Sequence, residues 1–117
     1  MKRLQLFLMT LLMLLGSTSL RAAEMYAVLN NNTLTFYYDN SKSSRTGTKY
    51  SMNKTGNAPS WYNNTSITGV VFDASFAGAR PTTCYGWFYG LEGLKTITGI
   101  GNLNTSNVES MYSMFNK

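Results

Sequence analysis

Apolar and aromatic side chains in the second half of this chain recur at a fixed interval of 27 residues. Without a gap, Ile67 aligns with Leu94, Val70 with Ile97, Phe76 with Leu103, Cys84 with Met111, Tyr85 with Tyr112, Trp87 with Met114 and Phe88 with Phe115. One step further back, Trp61-Tyr62 falls under Phe88-Tyr89. Asp73 against Ile100 breaks the match and Pro81 against Val108 weakens it, so the first copy is degenerate. A self-similarity of this length is the mark of stacked units. One such unit cannot cover its own apolar side, so its neighbour must. Between the matched positions, Leu91, Leu94, Ile97, Ile100 and Leu103 fall three apart. That spacing suits a tight turn, a short strand and another turn, each offering one residue to a common interior.

The last unit carries a helix-start pattern. Ser106 and Glu109 form S-x-x-E, in which the serine hydroxyl and the glutamate can satisfy each other's backbone N–H groups. Val108, Met111 and Phe115 follow at i, i+3 and i+7 with Met114 beside them, giving one apolar face. The pattern predicts a capped helix of about three turns, in which Ser106→Ala would cost about 1 kcal/mol.

At these residues, "LKTITGIGNLNTSNVESMYSMF" resembles the repeat of the BspA-like leucine-rich repeat surface proteins, with L-x-x-I, N-T-S-N-V and M-x-x-M-F elements. Upstream, "LTFYYD", "VVFDASF", "ARPTTCYGWFYG" and Trp61 resemble the region that precedes the repeats in that family. The first copy departs from the motif, with "AGARP" where N-T-S-N would stand. The chain also ends before the small or Cys residue that usually follows the M-F pair. The resemblance implies an exported bacterial protein, secreted or displayed at the cell surface, that adheres to host proteins or to other cells. It also implies a family mostly without enzymatic activity.

The N-terminus supports export on its own terms. Lys2 and Arg3 precede the apolar run "LQLFLMTLLMLL", and "GSTSLRAA" follows with small residues. These are the parts of a secretory signal peptide over residues 1–23. The run is about a dozen residues, whereas a membrane span needs about 20. Removing Lys2, Arg3 and Arg21 from ten basic residues leaves seven against five acidic ones, so the net charge falls from +5 to +2. No basic stripe of the kind a nucleic-acid binder shows is left. Residues 24–59 then read as a small antiparallel β-meander. "MYAVL" and "TLTFYYD" are strands joined by the turn residues "NNN", and "TKYSM" is a third strand.

Candidate chemistry is sparse. The chain has no His, the commonest general base and metal ligand, and no phosphate-binding glycine loop, so no cofactor or metal is expected. Cys84 could be a reactive thiol, but its repeat partner Met111 points to core packing. Trp61 and Trp87 could stack a sugar, but their partners Phe88 and Met114 favour the interior. Thr96 and Thr98, flanking Ile97, are the expected partner-binding positions on the second unit.

Together these features predict an α/β, leucine-rich-repeat-type solenoid over residues 60–117, about two units long with the last incomplete. The β-meander would cap it. About two units, where a stable stack needs at least three, reads as the N-terminal fragment of a longer surface protein. Its expected role is binding to a protein or cell-surface ligand. The alternatives are a structural cap without a ligand and a carbohydrate-binding module.

Overall fold

The run Glu24–Asn30 (β1) alternates core-facing Met25, Ala27 and Leu29 with outward Tyr26, Val28 and Asn30. Asn31 and Asn32 follow, both at positive φ (51° and 67°), the type I′ geometry that matches the twist of two antiparallel strands. A two-residue turn fixes the register, so Tyr26 faces Tyr37 and Ala27 faces Phe36 on Thr33–Asp39 (β2). In the computed structural model, which describes residues 22–116, these strands belong to a five-stranded sheet. The other strands are Thr48–Ser51 (β3), Gly69–Phe72 (β4) and Thr96–Thr98 (β5), and the order is β3-β1-β2-β4-β5. The predicted signal peptide lies almost entirely outside the described residues.

This architecture corrects the expected α/β solenoid with a meander cap. The sheet is mixed: β1 is antiparallel to β2 and β3, while β4 runs parallel to both β2 and β5. No α-helix occurs among the described residues. The only helical pieces among the described residues are 3-10 turns at Lys42–Ser44, Ala74–Gly78 and Ile100–Asn102. The meander is also corrected. β3 pairs with β1, because the free edge of β2 is taken by β4.

The predicted helix at Ser106 fails for a tertiary reason. Glu109 N–H does not turn back to Ser106; it donates to the Thr82 carbonyl at 2.7 Å. Asn104 Oδ1 instead accepts from Ser106 N–H at 2.9 Å, and Val108 N–H closes a turn on the Thr105 carbonyl. Four further bonds hold the segment, a run of turns, against residues 84–90. The N–H groups of Cys84, Gly86, Phe88 and Gly90 donate to the carbonyls of Ser110, Tyr112, Met114 and Asn116 at 2.8–3.1 Å.

Residues one period apart are neighbours in space. Val70 pairs with Ile97 and Thr83 with Ser110, both parallel. The Phe88 and Phe115 rings lie 5.2 Å apart, and Tyr85 lies 5.5 Å from Tyr112. The positions spaced by three occupy a turn, β5 and a 3-10 turn in succession, but Ile100 is half exposed. Gly99 allows this path. It sits at φ 76°, and a Cβ there would strike the Phe72 carbonyl.

The core sits on one face of the sheet, and Phe36 is at its centre. Its ring lies 4.7 Å from Phe72, 4.9 Å from Trp87, 5.4 Å from Trp61 and 5.6 Å from Phe76. Ile67, Val70, Phe76, Cys84, Trp87, Phe88 and Met114 are buried here, and Leu94, Ile97 and Leu103 pack against them half-buried. Met111 and Phe115, the last repeat positions, are 49% and 66% exposed. Phe36→Ala is therefore expected to lower unfolding free energy by about 3–5 kcal/mol. Ser106→Ala should change it by less than about 0.5 kcal/mol, since Ser106 is exposed and its hydroxyl caps nothing. Urea denaturation of the two variants measures both.

Candidate functional site

The face of the sheet opposite the core is built from alternate residues of the same strands. Register places Asn30, Thr33, Gly69 and Thr96 in one cross-strand row, and Val28, Thr35, Val71 and Thr98 in the next. Thr96 and Thr98, the expected partner-binding residues, are exposed on the edge strand β5, either side of half-buried Ile97. A Cβ on Gly69 would lie 3.3 Å from Thr96 Oγ1 and 3.6 Å from Thr33 Oγ1. Glycine thus leaves two hydroxyls facing each other across bare backbone.

At the other end of this face, the loop after β2 folds back over β1. Asp39 starts the return: its Oδ1 accepts from Ser41 N–H at 2.9 Å and from the Tyr26 hydroxyl at 2.5 Å. Arg45 completes it. Its Nη2 donates to Asp39 Oδ2 at 2.7 Å, and its Nε donates to Tyr26 Oη at 3.1 Å. The guanidinium carbon lies 3.7 Å from the centre of the Tyr37 ring, itself stacked on Tyr26 at 5.4 Å. Glycine at position 47 lets the loop approach β1 this closely, because a Cβ there would strike the Leu29 carbonyl.

Between this loop and β2 lies a cleft of about 390 Å³. Its lining is Val28, Asn30, Thr33, Thr35, Tyr37, Ser44, Arg45 and Thr46. That volume lies in the range of small-molecule sites. Nothing in the sequence reading singled out Asp39, Arg45 or Tyr26. The Tyr26–Tyr37 pairing follows from a two-residue Asn turn, but the return of Arg45 depends on a loop path with no local signature.

The electrostatics of the cluster are cooperative. Burial, together with the Asp39 carboxylate, pushes the Tyr26 hydroxyl up to about 12, against a smaller opposing effect of Arg45. Burial would raise the Asp39 carboxyl, but hydrogen bonds from Tyr26, Ser41 and Arg45 outweigh it and hold it below its ordinary value. Arg45 is held protonated more firmly than usual, chiefly by its hydrogen bond to Tyr26.

The other candidates are structural. Trp61 and Trp87 are both 1% exposed, so neither can offer a stacking platform to a sugar in solvent. Trp61 Nε1 donates to the Trp87 carbonyl at 2.6 Å, and Trp87 Nε1 to Asn53 Oδ1 at 2.9 Å. Cys84 is fully buried, and burial pushes its thiol up to about 11, which suppresses the reactive thiolate. Asp73 caps the 3-10 turn Ala74–Gly78 by accepting from Ser75 N–H. Among the described residues, no group of three or more His, Cys, Asp or Glu side chains could hold a metal ion. No described helix is long and apolar enough to cross a membrane.

No protein-family model, curated protein or solved structure matches the chain.

Because the Asp39 carboxyl titrates lower in the folded state, its contribution is full above the unfolded value of about 4 and fades as pH falls through the folded value. Wild type is expected to exceed Asp39→Asn in stability at pH 7, and the gap should shrink steadily as the pH is lowered below about 4. Denaturant midpoints of both proteins across that range provide the check. A gap independent of pH would contradict the assignment.

Proposed function

We propose that this is an exported, surface-associated bacterial binding protein whose ligand surface is the threonine-rich outer face of the sheet. The observation that carries the reading is the register that sets Thr33 beside Gly69 and Thr96, and Thr35 beside Val71 and Thr98. Small hydroxylated side chains on paired strands form a flat, hydrogen-bonding surface with little rotamer entropy to lose on contact. The partner would be a protein or a cell-surface ligand. Support for export comes from the basic start, short apolar run and small-residue end at residues 1–23. Adhesion rather than catalysis fits the resemblance to BspA-like surface proteins. It also fits a face whose Asp39 carboxylate is held by Tyr26 and Arg45 rather than free to act as a base.

A second reading, a shielding unit without its own ligand, is favoured by a different observation. The main-chain N–H groups of Met111, Ser113 and Phe115 have no acceptor among the described residues, although the equivalent groups of Cys84, Gly86 and Phe88 do. With Met111, Tyr112 and Phe115 exposed beside them, this edge is competent to take up further polypeptide.

One comparison separates the two. The protein is expected to bind extracellular-matrix proteins or whole cells saturably in a surface-plasmon assay. The double variant Thr96→Lys/Thr98→Lys should bind at least about tenfold more weakly with its folding stability unchanged. Undiminished binding by the double variant would remove the threonine face from the mechanism. Absence of binding together with concentration-dependent self-association would favour the shielding unit.

A further inference from the structure

We infer that the cleft between the Ser44–Thr46 loop and β2 is a subsite for a small hydroxylated carboxylate, the chemistry of an acidic sugar residue. The inference deepens, and rests on, the reading of this sheet face as a ligand surface.

The cation comes first. Arg45 is immobilised from three sides: by Asp39 at Nη2, by Tyr26 at Nε and by the Tyr37 ring beneath its plane. Those contacts use the side-on edge of the guanidinium. Nη1, on the end-on edge, has no partner among the described residues, and Arg45 lines the cleft. A guanidinium held this way loses little entropy on accepting a carboxylate, and its planar fork matches the two carboxylate oxygens.

The charge balance also favours an anion. Lys42 and Glu24 offset each other at 3.8 Å. Asp39 offsets Arg45, while Lys49, beside Val28 in the sheet register and donating to the Ser43 carbonyl at 3.1 Å, has no acidic partner among the described residues. One positive charge is left, and no acidic side chain lines the cleft.

The remaining lining selects for hydroxyls. Thr33, Thr35, Ser44 and Thr46 each carry a group that both donates and accepts, and Asn30 can add an amide. Val28 and Tyr37 supply the apolar part of the lining, against which the C–H face of a sugar ring can rest. A purely apolar acid would leave the hydroxyls unpaired, and a neutral sugar would offer Nη1 a hydroxyl in place of the stronger, charged carboxylate acceptor.

Titration of the isotope-labelled protein with sodium D-glucuronate, D-glucose and sodium acetate, at matched ionic strength and monitored by amide NMR shifts, tests this. Glucuronate should produce saturable shifts at Thr33, Thr35, Arg45 and Thr46, with affinity on the order of millimolar. Glucose and acetate should each bind about tenfold more weakly, lacking either the carboxylate or the hydroxyls. Arg45→Gln should lose about the same factor. Because that change could disturb the loop, Thr35→Val, which keeps the shape and removes one hydroxyl, provides the second variant and should also weaken glucuronate. No saturable shift with folded protein, equal affinity for acetate and glucuronate, or unchanged binding by Thr35→Val would each overturn the subsite. Loss of cell binding by the Thr96→Lys/Thr98→Lys variant tests the wider face, whereas the glucuronate titration of wild type, Arg45→Gln and Thr35→Val tests the cleft, so the two readings fail separately.

Discussion

The structure depends on main-chain hydrogen bonds between segments about 27 residues apart. Lys95 N–H donates to the Thr68 carbonyl and Glu109 N–H to the Thr82 carbonyl, each across one full period. The alternating donors from Cys84 to Gly90 then reach the carbonyls from Ser110 to Asn116. These bonds fix register, and register decides which side chains meet. In β4 and β5, a slip of one residue would carry Val70 and Ile97 to the outer face and turn Thr96 or Thr98 inward. The aromatic pairs Tyr62–Tyr89, Tyr85–Tyr112 and Phe88–Phe115 are consequences of the same alignment.

The N-terminal hairpin continues the sheet beyond β4 and completes the core on that side. The apolar side of β4 would face water if nothing preceded it. β2 lies parallel to β4 and places Phe36 beside Phe72, so the ring fills the centre of the core. The hairpin's opposite face is then free for other uses. There the returning loop clamps Arg45 against Asp39, Tyr26 and Tyr37, and opens the cleft. Core and candidate site are thus two faces of the same two strands, and the alternation of side chains along β2 links them.

What the sequence displays clearly are features set by local chemistry. "NNN" between alternating runs marks the hairpin, but it does not show that Asn30 belongs to the strand and only Asn31 and Asn32 to the loop, which is what pairs Tyr26 with Tyr37. The 27-residue recurrence displays which residues become neighbours, as Val70 and Ile97 do. The helix at Ser106 is misread because S-x-x-E and an i, i+3, i+7 face are local signals, and a long-range bond from Glu109 to Thr82 overrides them. Three-residue apolar spacing reflects a strand between tight turns, and of those positions Ile100 stays half exposed. β3 is misplaced because strand order depends on which edge of the hairpin is already occupied. The Arg45 cluster leaves no pattern in the sequence, since its members are joined only by the path of the loop.

Native-state amide hydrogen exchange tests the stacking most directly. The structure predicts that the N–H groups of Cys84, Gly86, Phe88 and Gly90 are protected together, by orders of magnitude over free peptide. Those of Met111, Ser113 and Phe115 should exchange close to the free-peptide rate. Rapid exchange at the first set, or helix-like protection running from Val108 to Phe115, would contradict the bonding between units on which the fold rests.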